Sequence, residues 1–378
     1  MQPRQRAVRR NQQGRNAMKK LVLHVGTPKT GTTAIQKFLM NNAAALEERG
    51  IYYPVFPSRW PGVEIARNGH FIFQDVMARL DHPTFNTRPN LLPPCTEKFA
   101  QLVANLDGTM ILSDETFWQM ASRFEDTLPT LKNICDGLGF DSYQIIVYLR
   151  RQDVLVESWY AQRVKGVKVT SITFDKYLKS KATHQVCTYN KVIKRFEEVF
   201  GQQNVHIGIY DRKLLKAGDS AADFMDVIGL DIEDPAFDRG VEEENDSIRS
   251  NNFLELKRMA NTSDAYRAGS NFLKMVSVSA SNNFPEAEKT SLFTPEQRKE
   301  YMAQYEKGNR ELARRYFGRD DLFGPQKADD LPAWQPNQEQ MNHDAFMFLI
   351  EALTAEHKRT TELSKRIKQL EARLDDQQ

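Results

Sequence analysis

The stretch His24-Val25-Gly26-Thr27-Pro28-Lys29-Thr30-Gly31-Thr32-Thr33 constrains the fold of this chain most strongly. It follows an apolar run, residues 21–25, and precedes a helical stripe made by Ile35, Phe38, Leu39 and Leu46. A strand that enters a helix through Gly, Lys and hydroxyl residues aims several backbone N–H groups at one point. The helix N-terminus adds a partial positive charge there, so a phosphate or sulfate is favoured. Gly26 and Gly31 permit backbone conformations that a side chain forbids and let an anion come close.

Such a unit needs partner strands, and three further short runs supply them: residues 110–113, 145–149 and 205–210. Each is rich in Ile, Leu or Val, the pattern of strands covered on both faces of a parallel sheet. Helical patterns lie between them, and Asp219 is placed to cap a helix carrying Phe224, Val227 and Ile228. Alternating strands and helices predict a three-layer α/β/α fold with a central parallel sheet. Thr294-Pro295-Glu296-Gln297 reads as a capping box opening a helix to about Phe317.

Four segments follow. Residues 1–17 are read as a disordered basic tail, 18–325 as the α/β domain, 326–340 as a polar linker, and 341–378 as a coiled-coil helix. In the last, Phe346, Leu353, Thr360, Ile367 and Leu374 recur every seven residues, and Leu349, Glu356, Leu363 and Leu370 fill the second seam. That heptad implies self-association; a single amphipathic helix packed on the domain is the alternative.

Charge narrows the function classes. The chain has 52 basic and 50 acidic residues, but residues 1–20 hold seven basic side chains and no acid, leaving 45 against 50. A mildly acidic body argues against nucleic-acid binding. No apolar run reaches the roughly 20 residues of a membrane helix. Cys95, Cys135 and Cys187 are too few and too scattered for a disulfide framework or a zinc site, so no metal is expected and a reducing cytoplasm is the natural compartment.

The loop departs from the nucleoside-triphosphate pattern GxxxxGK[ST]. Gly26 and Gly31 keep its spacing, but Thr32 stands where the lysine belongs, and Lys29 lies two residues before the second glycine. A lysine so displaced suits a nucleotide with one 5′-phosphate, where it reaches the oxygen that bridges to a transferred group. A small-molecule kinase is the lesser alternative, and an inactive nucleotide-binding scaffold a third.

The run HVGTPKTGTTAIQKFL, residues 24–39, resembles the phosphosulfate loop of sulfotransferases that use 3′-phosphoadenosine-5′-phosphosulfate, in particular the bacterial carbohydrate- and glycolipid-type branch. The resemblance implies a P-loop-like fold, with Lys29 neutralising the leaving phosphate and Thr30, Gly31, Thr32 and Thr33 holding the 5′-phosphate. In that family an Arg at a strand end and a Ser eight residues later bind the 3′-phosphate; Arg150 and Ser158 keep that spacing. A guanidinium fork suits a phosphate dianion, although adjacent Arg151 competes for the part. Weaker likeness around residues 205–215, 245–258 and 293–317 extends the resemblance over roughly residues 18–325.

Sulfuryl transfer needs a proton acceptor near the loop. Glu115, just beyond the second strand, is the first candidate, Asp114 the second unless it caps the next helix, and His70 the third. Six basic residues between 163 and 181 (Arg163, Lys165, Lys168, Lys176, Lys179 and Lys181) against Asp175 would steer an anionic glycan or lipid headgroup. Trp60, Phe71, Trp118 and Trp159 are candidates for stacking on a sugar, or for the core. The expected acceptor is therefore a hydroxyl of a carbohydrate or glycolipid, met in the cytoplasm or at its membrane face.

Overall fold

The computed structural model describes residues 18–56, 64–82, 92–166, 170–240, 248, 250–263, 270–284 and 289–375. The tail 1–17, Trp60, Lys168 and part of the 245–258 stretch lie outside them.

Five parallel strands form the sheet in the order β2-β3-β1-β4-β5. They are β1 (Lys20–His24), β2 (Ile51–Tyr52), β3 (Thr109–Ser113), β4 (Ser142–Leu149) and β5 (Val205–Ile209). Four match the apolar runs of the sequence. The fifth, β2, is two residues long, too short to leave a pattern, and lies at the edge against Thr109 and Met110.

Side chains along the strands alternate between two cores, as a period of two requires. Leu21, Leu23, Met110, Leu112, Ile145, Val147 and Leu149 face one core with Phe71, Val76, Phe117, Leu131 and Phe196 from the helices on that side. Val22, Ile111, Ile146 and Tyr148 face the other, with Ile35, Phe38 and Leu39 from helix Thr32–Asn41 and Ala221, Phe224 and Met225 from helix Ser220–Val227. Each such side chain taken out of water contributes about 1.5–3 kcal/mol. The fold is thus a three-layer α/β/α sandwich.

Register then positions the chemistry. His24 pairs with Ser113 on one side and Ile146 on the other, so β1, β3 and β4 end close together and their following loops share one edge of the sheet. Leu149 pairs with Ile209, which adds the loop after β5 to that edge. In open parallel sheets, ligands bind at the carboxyl ends of the strands.

Local signals were mostly legible. Asp219 accepts a hydrogen bond from Ala221 N at 2.8 Å, capping its helix. Thr294 and Gln297 form the reciprocal capping box. The helix it opens stops at Ala303, however, and restarts as Glu306–Leu312. The break turns Tyr305 into the core, where its hydroxyl meets those of Tyr301 at 3.3 Å and His184 Nδ1 at 3.2 Å. Within residues 326–340, Trp334 Nε1 donates to Asn252 Oδ1 at 2.7 Å and Trp334 N to Ser291 O at 2.6 Å.

Helix Gln338–Asp375 is continuous over 38 residues. Phe348 packs with Phe253, Val276 and Ala280, fastening the first turns to the domain. Among the described residues, no helix is long and apolar enough to cross a membrane. Cys95, Cys135 and Cys187 are free and buried.

Candidate functional site

The loop after β1 is laced to β4. Val25 N donates to Ile146 O at 3.0 Å, Thr27 N and Oγ1 donate to Tyr148 O at 2.9 and 3.0 Å, and Tyr148 N returns a bond to Gly26 O at 2.7 Å. Thr30 Oγ1 donates to Thr27 O at 2.6 Å and closes the turn. Gly31 has φ +74°, and a Cβ there would sit 2.3 Å from Ser220 Oγ, so only glycine fits. Helix Thr32–Asn41 begins at once, with no side chain capping its N-terminus. The backbone N–H groups of Lys29, Thr30, Gly31, Thr32 and Thr33 find no acceptor among the described residues. Thr33 is exposed at that opening.

Arg150, 121 residues further along the chain, joins this loop directly. Its Nη1 donates to Lys29 O at 3.1 Å, and its guanidinium lies 5.6 Å above the Tyr210 ring. Tyr189 Oη donates to Arg150 O at 2.6 Å and fixes the backbone from behind. The competing arginine is otherwise engaged. Arg151 forms a fork on Asp153 (2.8 and 2.7 Å) and a second on Asp329 (2.8 and 2.5 Å). It also lines a cavity of about 790 Å³ with Phe293, Arg298, Met302 and Phe323, to which no residue of the loop contributes.

Lys29 and Arg150 therefore form a centre of uncompensated positive charge. Neither has a carboxylate within ion-pair distance among the described residues. Burial pushes the Lys29 ammonium down to about 8, and the like charges of Lys165 and Arg150 push the same way against the pull of Glu115. Burial also lowers Arg150, with the nearby phenols of Tyr210 and Tyr189 opposing it. Buried cations are ordinarily paired. Together with five amides and a helix N-terminus, this pair is suited to a multiply charged anion.

Beside the cations stands a carboxylate. A Cβ on Gly26 would lie 3.5 Å from Cα and Cβ of Glu115, which places Glu115 against the loop. Its Oε1 accepts from Thr32 Oγ1, and its Oε2 lies 3.2 Å from Arg67 Nε. Asp114 is fully buried and spoken for. Arg67 holds it with a fork (3.1 and 2.7 Å), and Thr116 donates to it from N at 2.7 Å and from Oγ1 at 2.5 Å. Desolvation favours the neutral acid, but Arg67 and the neighbouring His70 outweigh it and hold the carboxyl well below the usual range. Asp114 thus secures the start of helix Thr116–Arg123, and all its bonds point inward. His70 Nδ1 lies 3.4 Å from Asp114 Oδ2. His70 is the first residue of helix His70–Arg79.

Ser158 lies within helix Gln152–Lys165, half-buried, and no hydrogen bond joins it to Arg150 or the loop. The aromatic candidates for sugar stacking are core residues. Trp118 is fully buried with Nε1 donating to Val186 O at 3.0 Å, Phe71 packs between Phe56 and Phe99, and Trp159 is covered and meets Tyr177 edge-on. In the basic run, Lys165 adds its charge to the field at Lys29, while Arg163, Lys176, Lys179 and Lys181 are exposed.

Three residues escaped the sequence reading. Arg67 bridges both carboxylates, and Asn68 stitches its segment to β3 by accepting from Ser113 N at 2.8 Å and donating to Ile111 O at 2.9 Å. The partners of Arg67 are 47 and 48 positions away, so nothing local marked it. Tyr210 follows β5 at the carboxyl edge, and that location was the available signal.

No family model matches the chain. An uncharacterised protein from Archaeoglobus fulgidus is 28% identical over 225 residues, 57% of this chain and 55% of that protein, so the chain spans about half the length of that relative. Among solved structures, a sulfotransferase from Alicyclobacillus acidocaldarius is 16% identical, with 67% of this chain and 93% of that one covered and a TM-score of 0.38. A sulfotransferase domain from the curacin biosynthetic pathway is 14% identical, with 77% and 98% covered and a TM-score of 0.36. Among the described residues, no group of His, Cys, Asp and Glu is arranged to hold a metal ion.

Proposed function

We propose that this chain is a sulfotransferase, moving a sulfuryl group from 3′-phosphoadenosine-5′-phosphosulfate to a hydroxyl of a carbohydrate or glycolipid. The observation that carries the reading is the pair of mostly buried cations, Lys29 and Arg150, without carboxylate partners and hydrogen-bonded through the Lys29 carbonyl. The residues fit such a nucleotide. Amides 29–33 and the hydroxyls of Thr32 and Thr33 suit a 5′-phosphate, while Arg150 offers its free guanidinium edge to a 3′-phosphate, with Ser158 the expected second donor.

When bound, the nucleotide supplies an activated sulfuryl group whose S–O bond to the 5′-phosphate breaks as the acceptor oxygen bonds to sulfur. Lys29 neutralises charge on the departing phosphate oxygen. Glu115 takes the acceptor's proton, oriented by Arg67. Because Thr32 Oγ1 is engaged by Glu115, its use on the phosphate would release Glu115 toward the acceptor. The exposed basic side chains from Arg163 to Lys181 give an anionic glycan or headgroup an electrostatic approach, continued inward by Lys165.

Calorimetry with adenosine 3′,5′-bisphosphate and ADP tests the reading. The bisphosphate should bind about 10–100-fold more tightly, the value of one charge-assisted contact at about 1.5–3 kcal/mol. Equal affinities would remove the 3′-phosphate site, and a preference for ATP with magnesium would establish the kinase alternative.

A further inference from the structure

Helix Gln338–Asp375 carries two stripes. One faces the domain: Phe348 enters the cluster of Phe253, Val276 and Ala280, Asp344 Oδ2 accepts from Asn252 Nδ2 at 2.7 Å, and Glu351 accepts from Ser279 Oγ at 2.9 Å and Asn283 Nδ2 at 2.8 Å. The other faces solvent. Phe346, Leu349, Leu353, Leu363, Ile367 and Leu370 are between 51% and 72% exposed. These are the heptad positions themselves, with Phe346, Leu353, Thr360 and Ile367 in the first seam (a) and Leu349, Glu356, Leu363 and Leu370 in the second (d). From residue 356 to 373 every residue is exposed. Most helical stability in proteins comes from packing an apolar face, and this stretch has none packed within its own chain among the described residues.

We infer that the exposed stripe is the seam of a parallel, in-register, two-stranded coiled coil with a second copy of this chain. Composition sets the strand number. In the stretch where every side chain is exposed, residues 356–373, the a positions are the β-branched Thr360 and Ile367 and the apolar d positions are Leu363 and Leu370; Ile at a with Leu at d favours two strands. Charge sets the direction. The g positions are Arg359, Arg366 and Arg373, and the e positions include His357, Ser364 and Glu371. In a parallel pair each g position faces the e position five residues on in the other strand, so Arg366 meets Glu371 of the second copy, twice per dimer. An antiparallel pair sets arginine against arginine. The polar layers set the register: a slip by one heptad sets Glu356 and Thr360 against apolar residues, whereas the aligned arrangement confines them to shared layers, where the two facing Glu356 carboxylates repel and Arg359 of each helix offsets that repulsion. In each helix Glu356 already lies 3.7 Å from Arg359. The parallel arrangement holds both domains at one end of the coiled coil, and it stands independently of the sulfuryl-transfer reading.

Sedimentation equilibrium on the full chain tests each element. The expected mass is twice 43.6 kDa throughout the micromolar range. Leu363→Asp with Ile367→Asp, both at exposed positions, should return the single mass with an unchanged near-ultraviolet dichroism spectrum. Arg366→Glu should weaken the dimer about tenfold by turning two attractions into repulsions, and Glu371→Arg added to it should restore the affinity. A single mass for the unaltered chain would overturn association, and three or four copies would overturn the two-stranded seam. A charge-swapped chain no tighter than Arg366→Glu alone would overturn the parallel register.

Discussion

Replacing Lys29 by Met should stabilise the unliganded protein at neutral pH while weakening its hold on nucleotide. The ammonium is lowered from 10.5 to about 8 by burial first and by Lys165 and Arg150 second. A lysine protonated below pH 8 in the folded chain therefore carries a penalty of about 3 kcal/mol, at roughly 1.4 kcal/mol per tenfold. Methionine keeps the stem's packing and removes that penalty. The sign follows from proton binding. Between about pH 8 and 10.5 the unfolded chain holds a proton on Lys29 that the folded chain has released, so the native protein gains stability as pH rises through that window. The variant lacks this gain. In urea melts, the advantage of Lys29→Met should approach 3 kcal/mol at pH 7 and fade by about pH 10.5.

The same proton appears in binding. A dianionic phosphate beside Lys29 restores its charge, so binding of adenosine 3′,5′-bisphosphate should be accompanied by uptake of about 0.9 proton at pH 9, an uptake that shrinks as the pH falls through 8. Calorimetry in two buffers of different ionisation enthalpy reads this directly, and Lys29→Met should abolish it. A variant less stable than the parent at pH 7, together with no proton uptake by the parent at pH 9, would refute the picture of an uncompensated buried charge.

Arg150→Met should lower bisphosphate affinity about 10–100-fold without lowering the unliganded melting temperature, because a buried unpaired cation leaves together with one hydrogen bond. Glu115→Gln should reduce turnover about 10²–10⁴-fold and leave product-nucleotide affinity within twofold or so; full retained activity would transfer the role of base to His70. Asp114→Asn should cost about 3 kcal/mol in chemical denaturation, since Arg67 then keeps a single carboxylate partner. Gly31→Ala should destabilise by at least about 1–2 kcal/mol, through the left-handed backbone and the contact with Ser220.

The fold was legible where burial is two-sided. β1, β3 and β4 announce themselves because each must satisfy two cores, β5 shows Val205, Ile207 and Ile209 alternating toward one core, and β2 needs only two residues at an edge. The loop was legible because a strand-to-helix turn that admits an anion demands Gly26 and Gly31, a demand that acts within ten residues. Its neighbours acted over longer distances. Arg67 is defined by Asp114 and Glu115, Tyr210 by Arg150, and the break at Tyr305 by a pocket shaped by Tyr301 and His184. The aromatic candidates show the limit from the other side: Trp118 and Phe71 have the composition of a sugar platform, but the sheet claimed their faces first.

The choice between Arg150 and Arg151 shows what the third dimension added. Adjacent in sequence and identical in type, they differ in which carboxylates reach them. Asp153, two residues on, and Asp329, far along the chain, both close on Arg151. Arg150 instead turns to the carbonyl of Lys29, a contact that brings a second positive charge to the loop without neutralising either. Folding alone gives no reason to assemble two such cations, since both are disfavoured by burial and Lys29 also by the charge of Arg150. An anionic ligand gives that reason, because the desolvation already suffered in the empty site need not be repeated when the ligand arrives. The stability lost at Lys29 and the affinity gained there are one quantity seen from two sides, and the pH window between 8 and 10.5 is where both can be read.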